Sequence, residues 1–225
     1  MGNETAKPKM TAGIFIKKAI FYVIGFFFIA VGIIISKKSG TGISPVSCVP
    51  YALELIWGVE LGLGSRIIYA ICIVLQFIIL RKFKVTILLQ FVATFILGYF
   101  VTFCNLFVKL PDPANYGIQL VYLVISFFVI AIGVALYVMP GFPPNPPEGL
   151  ATAISQVSNG KLTFGNAKII VDTTMVIISA ALSLIFLGGL NSFREGTILA
   201  AIIIGKIVGV IMKKYRAKAV AWMNK

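Results

Sequence analysis

Gly42-Ile-Ser-Pro-Val-Ser47 has a counterpart 101 residues further on, Pro143-Pro-Asn-Pro-Pro-Glu148, and the pair decides how the chain is read. Around it the same offset places Gly32 on Gly133, Pro45 on Pro146, Leu53 on Ile154, Leu61 on Leu162 and Gly64 on Gly165. Beyond Gln76 the offset grows to 111, setting Thr86-Ile87-Leu88 on Thr197-Ile198-Leu199 and Gly98 on Gly209. A duplicated unit in so apolar a chain points to a membrane protein of two related halves, an arrangement in which substrate commonly binds between the halves.

Each quoted stretch separates a long apolar run from a short segment. Residues 46–59 contain Pro50 and Glu54; residues 147–159 carry Glu148, Gln156 and several hydroxyls. As helices each would reach ~20 Å, short of the ~30 Å hydrocarbon core. Both are therefore read as re-entrant half-helices, whose non-helical approaches are tolerated at depth only inside protein or beside a wet cavity. Three full spans then remain per half, at 17–36, 65–81 and 85–108, then 117–139, 165–189 and 196–213. An odd number of spans gives the halves opposite orientations. With six spans and both termini inside, and Lys168 and Lys206 counted within helices, 13 Lys/Arg lie inside and five outside; eight spans would give 12 and six.

The expected architecture is thus an all-α polytopic membrane protein of six transmembrane helices plus two half-helices in two inverted repeats. Its parts are a cytoplasmic N-terminal segment (1–18), a first repeat (19–108), a linker (109–116), a second repeat (117–213) and a cytoplasmic tail (214–225).

Composition sets the solvent. Hydrophobic residues form 59% of the 225 and charged residues 12%. That much apolar surface cannot be hidden in one soluble domain of this size, so most of it faces lipid. The uncharged runs 19–36, 85–108, 117–139 and 173–193 are long enough to span. The formal charge of +13 is gathered at run ends, in Lys17-Lys18, in Arg81-Lys82 with Lys84, and in Lys213-Lys214 with Arg216 and Lys218. Cytoplasmic flanks look like this; without aromatic-interleaved basic patches, nucleic acid is not an expected partner. There is no histidine, and the three cysteines (Cys48, Cys72, Cys104) are scattered. No cofactor, metal site or Ser-His or Cys-His nucleophile is expected, nor an enzyme. The first apolar run is too long for a signal peptide and lacks a cleavage motif, so the first helix stays.

Several residues could carry chemistry. Ser44, Ser47 and Asn145 stand at the half-helix entrances, each with a proline in the first turn. Such ends attract negative charge or polar acceptors; Ser44 and Asn145 are equally read as simple N-caps. Ser47, Tyr51 and Glu54 form a polar stripe matched by Glu148, Thr152 and Ser155, facing either an interior or a headgroup layer. Carboxylates at membrane depth are costly unless paired, protonated or wet; Glu148 also suits the dipole of its own helix. Lys168 and Asp172 are one turn apart, spaced to meet, as a structural pair or as a substrate or proton relay together with Glu148. Gln76, with Ser65 and Cys72, and Gln90, with Thr86 and Thr94, line one face each, for a pore or for interhelical hydrogen bonds. Ser192-Phe-Arg-Glu-Gly-Thr197 reads as a structural helix start.

Gly40-Thr-Gly-Ile-Ser-Pro-Val-Ser-Cys-Val-Pro-Tyr51, Pro147-Glu-Gly-Leu150, Lys168-Ile-Ile-Val-Asp172 and Arg194-Glu-Gly-Thr197 resemble the YczE-like branch of the YczE/YyaS/YitT group of bacterial membrane proteins, over about residues 20–212. The proline load of Pro143-Pro-Asn-Pro-Pro147 departs from that pattern. The resemblance implies a bacterial membrane location and supplies neither substrate nor catalytic residue. The expected function is transport or export of a small polar solute, with protons as a candidate coupling ion. Ser44, Ser47, Tyr51, Glu54, Gln76, Gln90, Asn145, Glu148 and Thr152 are the expected substrate contacts, with Glu148, Lys168 and Asp172 as relay. The alternatives are a substrate-capture subunit needing an energising partner, and a non-transporting scaffold or regulator. Expected partners are the bilayer, the solute, and a further copy or partner subunit.

Overall fold

The computed structural model describes residues 11–82, 85–159, 161–189, 192 and 194–224. Residues 1–10 of the N-terminal segment, Lys84 of the basic flank, Phe193 of the last helix start and Lys225 of the tail lie outside them. The described residues form eight helices: α1 (Ala12–Ser39), α2 (Pro45–Trp57), α3 (Leu61–Leu80), α4 (Val85–Phe107), α5 (Tyr116–Val138), α6 (Pro146–Val157), α7 (Phe164–Leu187) and α8 (Glu195–Met223). Six of them, all but α2 and α6, are long and apolar enough to cross a membrane. The chain is an all-α polytopic membrane protein.

Local chemistry sets the ends. Thr11, Asn115 and Thr163 cap α1, α5 and α7, their side-chain oxygens accepting backbone N–H groups two or three residues into the helix. Glu60 does the same for α3, accepting from Gly62 and Leu63. Gly40 closes α1 in the left-handed region at φ 68°, a conformation glycine adopts without steric cost.

Two sequence expectations are corrected. The last helix does not stop at 213: α8 continues to Met223, because Met223 finds a buried place against Ala135 and Met139 while Trp222 meets Phe21 and the Lys17 ammonium. The stretch read as a tail is thus a packed helical end. Nor do Ser44 and Asn145 act as side-chain caps; neither makes a cap hydrogen bond.

The tightest seam joins α1 to α5. Moving along α1 from Gly25 to Gly32 meets α5 in reverse order, Tyr137 and Gly133 first, then Ile130 and Ser126, so the two run antiparallel. Their backbones approach until a Cβ on Gly133 would stand 2.7 Å from the Gly25 carbonyl oxygen. Small residues let membrane helices approach this closely. Around this axis, α2 packs on α3 and α7, while α6 packs on α7 and α3; α4 lies on α1 as α8 lies on α5.

Candidate functional site

The two breaks converge on a cavity of about 500 Å³. α2 contributes its first turn, with Ser44, Val46 and Ser47; α6 contributes Asn145, Glu148 and Thr152; α7 contributes Phe164, Lys168 and Asp172. Ile29 and Ile33 of α1, Val134 of α5, and Ile204, Gly205 and Val208 of α8 form an apolar wall, while Tyr69 of α3 and Tyr137 of α5 also line the cavity.

The breaks stay in place because their backbone is occupied. The Thr41 carbonyl accepts the Gly196 N–H at 2.9 Å, the Ile43 N–H donates to the Thr197 hydroxyl, and Arg194 donates to the Gly40 carbonyl at 2.8 Å. Arg194-Glu-Gly-Thr197 is thus a clasp on the first break; a Cβ on Gly196 would lie 2.6 Å from the Thr41 oxygen. At the second break Tyr22 donates to the Pro143 carbonyl at 2.8 Å.

Within the cavity the carboxylates differ. Glu148 accepts the Tyr137 hydroxyl, and the backbone of Asn145 faces the same carboxyl. Pro146 and Pro147 have no N–H, so the first donor that α6 offers is the Glu148 N–H itself. Asp172 is held by Lys168 at 2.6 Å, the two side chains keeping 18% and 25% exposure. The Ser44 hydroxyl donates to Ser47 at 3.0 Å. Asn145 is 93% buried, being 7% exposed, and its Oδ1 has no hydrogen-bond partner; the Tyr69 hydroxyl lies against the other end of its amide. This is an amphipathic pocket, with acceptors on the α2/α6/α7 side and aliphatic groups opposite.

Of the residues singled out in the sequence, Ser44, Ser47, Asn145, Glu148, Thr152, Lys168 and Asp172 line this cavity. The others stand elsewhere. Tyr51 lines a separate hollow at the ends of α1 and α4, where Glu54 is held by Lys37 at 2.7 Å and Lys37 also reaches Asn105. Helix α2 leads from the cavity to that end, so one polar stripe serves two places. Gln76 and Gln90 are fully buried and exchange hydrogen bonds at 2.8 and 3.0 Å, Gln76 also reaching the Pro146 carbonyl. They pack on Gly149, where a Cβ would fall 2.5 Å from Gln90, which gives the Glu-Gly motif its glycine. Gln76→Ala is expected to lower stability by about 1–3 kcal/mol, since it strands the buried Gln90 amide. Gln76→Leu with Gln90→Leu should recover part of that loss; equal melting temperatures for wild type and Gln76→Ala would refute the pairing role.

Tyr69 and Tyr137 were not singled out from the sequence. Tyr137 ends an apolar span, and only the fold of α5 against α6 brings its hydroxyl to Glu148. The one available signal was its position at the cavity-facing end of the run that precedes the second break.

Residues 16–213 match a family of unknown function (DUF6198). The chain is also similar to "Uncharacterized protein YyaS" of Bacillus subtilis (strain 168), 26% identical over 196 residues that cover 87% of this chain and 92% of the relative. No solved structure matches it.

Proposed function

We propose that this chain, which belongs to the family of unknown function DUF6198, is a transporter of the bacterial cytoplasmic membrane whose solute binds in the cavity between its two halves. The observation that carries the reading is the meeting of two interrupted helices, α2 and α6, at one cavity that also holds Glu148, Lys168 and Asp172. Broken helices meeting in the membrane interior are the recurrent device by which helical transporters build solute sites. Charged groups there are retained at a cost that a binding or relay role explains. The halves are read as inverted repeats: α1 and α5, equivalent by the 101-residue offset, run antiparallel, and the contacts of α2 and α6 exchange partners as a two-fold axis in the membrane plane requires. Six spans leave both termini on one side, and the basic flanks favour the cytoplasm as that side.

Two experiments bear on this. A cysteine at Lys82, beyond the end of α3, should be shielded from an impermeant maleimide in whole cells and labelled after lysis, because α2 does not cross. Labelling in intact cells would place the α3–α4 connection outside and refute the six-span arrangement. In proteoliposomes, a solute that stabilises the purified protein should exchange across the membrane, and Glu148→Gln should slow that exchange at least about tenfold, the ~1.4 kcal/mol scale of one charge-assisted hydrogen bond. Binding without exchange by the isolated protein would favour a capture subunit instead.

A further inference from the structure

The second half leaves open a seam that the first half closes, and the difference resides in residue types. Four ties hold α3 to α4. A Cβ on Gly62 would lie 2.4 Å from the Gly98 carbonyl oxygen, so the two backbones touch. Gln76 and Gln90 exchange their amide hydrogen bonds. Thr102 donates to Glu60 at 2.7 Å, and the Arg66 guanidinium sits 4.7 Å over the Tyr99 ring.

Carried forward by the 101- and 111-residue offsets, these pairs become Thr163 with Gly209, Ile177 with Ala201, Lys161 with Lys213, and Ala167 with Val210. None can make the corresponding tie: one glycine is lost, the amides are gone, and a carboxylate–hydroxyl pair has become two like charges. The described residues show the consequence. α7 and α8 do not pack along their lengths, and apart from the helix's own adjoining backbone no atom lies within 4 Å of where a Cβ would stand on Gly205 or Gly209, one turn apart on α8. Lys168 of α7 and Gly205 of α8 both line the cavity. The cavity therefore opens sideways between two spans, toward hydrocarbon.

We infer that the ligand is an amphipathic amine, an ammonium head on an aliphatic tail, which reaches the cavity from the bilayer through the α7–α8 seam. This rests on the reading of the cavity as a solute site and narrows it from polar solutes at large. The cavity lacks donors that an ammonium head would supply. Asn145 Oδ1 is a buried acceptor without a partner, and such a group is costly unless something donates to it. Pro50 cannot donate to the Val46 carbonyl one turn back at the same cavity. The two carboxyl groups of Glu148 and Asp172 share the cavity with the single ammonium of Lys168. An ammonium brings three donors and a positive charge to this set. The tail fits the opposite wall, where Ile29, Val134, Ile204 and Val208 offer no polar atom beyond the backbone and an aliphatic chain gains by leaving water.

The test uses the full chain in lipid nanodiscs, with thermal stabilisation read for ethylamine, octylamine and octanoate against empty-disc controls. Each buried methylene strengthens binding roughly fourfold, so octylamine should act at concentrations at least on the order of a hundredfold below ethylamine, and octanoate should not act. Gly205→Trp fills the seam in open space and keeps the fold, yet should raise the octylamine concentration needed at least about tenfold, the effect of losing two buried methylenes. Ala201→Leu on the preceding turn is the second variant. Equal potency of ethylamine and octylamine would overturn the tail and the lateral route while leaving the solute site standing. Stabilisation by octanoate as strong as by octylamine would overturn the cationic head. No response to any amine would overturn the inference, and melting the protein against a metabolite library then decides the solute site separately.

Discussion

Gly133→Leu is expected to leave no folded protein. Its Cβ would stand 2.7 Å from both the Gly25 carbonyl oxygen and the Ile29 nitrogen of α1. Those are backbone atoms of a helix and cannot swing aside as a side-chain end can. Overpacking a well-filled interior costs about 1–3 kcal/mol where side chains can shift; with backbone on both sides the cost should exceed that range. Helical domains hold only ~5–15 kcal/mol in total, and this seam joins the two halves. Gly25→Leu should fail likewise, its Cβ falling 2.5 Å from the Tyr137 nitrogen. The contrast is Gly209→Leu, whose Cβ meets nothing within 4 Å and which should elute and melt as wild type does. Size-exclusion profiles and melting curves of the purified variants check this; a monodisperse Gly133→Leu with an unchanged melting temperature would mean that α1 and α5 do not meet as described.

The second large effect is expected at the ion pair. Asp172→Leu leaves the Lys168 ammonium, 25% exposed and 2.6 Å from its former partner, facing a cavity rather than bulk water. Breaking a buried pair from one side costs about 3–5 kcal/mol; the residual exposure of both side chains brings the expectation toward ~2–3 kcal/mol. Lys168→Met combined with Asp172→Leu removes both charges and should restore most of the stability, with a coupling energy that a double-mutant cycle reads directly. The same double variant should lose every ligand response. A double variant that regains stability and still responds to ligand would reduce the pair to a structural tie. Single variants as stable as wild type would instead show that the charges are held for what occupies the cavity.

Much of this architecture was legible in the sequence because lipid allows few solutions. A run such as 117–139, without a charge, can only be a span, and Tyr116–Val138 is the helix found. The half-helices were legible from prolines, which can start a helix but not continue one: Pro45 and Pro146 open α2 and α6 within a residue of the expected starts. The end of α8 was not legible, since Lys213-Lys214 reads as a flank and only the packing of Met223 beneath α5 shows that the helix runs on.

The candidate site was legible along one dimension only. Helical spacing assigned Tyr51 and Glu54 to the stripe of Ser47. It could not tell that α2 is long enough to carry that face from the cavity to Lys37 and Asn105 at another end of the protein. Gln76 and Gln90, each in a polar stripe, fitted either a pore or interhelical hydrogen bonds. Two such stripes on antiparallel neighbours can satisfy one another, and 14 residues apart these two do. The open α7–α8 seam was present in the sequence as differences between the halves, at Lys161, Ala201 and Lys213, yet those differences acquire meaning only once the α3–α4 ties are seen.

The claim that the cavity is a solute site is tested most directly by melting the detergent-purified protein against a metabolite and amine library at two pH values, beside Glu148→Gln. A ligand that binds only the folded protein raises its apparent stability, by ~2.7 kcal/mol at a hundredfold excess over Kd. The account predicts at least one compound class that stabilises the wild type and loses its effect in a folded Glu148→Gln variant. Silence across the library from a monodisperse, cooperatively melting protein, or stabilisation indifferent to Glu148→Gln, would contradict it and leave the polar groups of α2, α6 and α7 as the internal ties of a membrane scaffold.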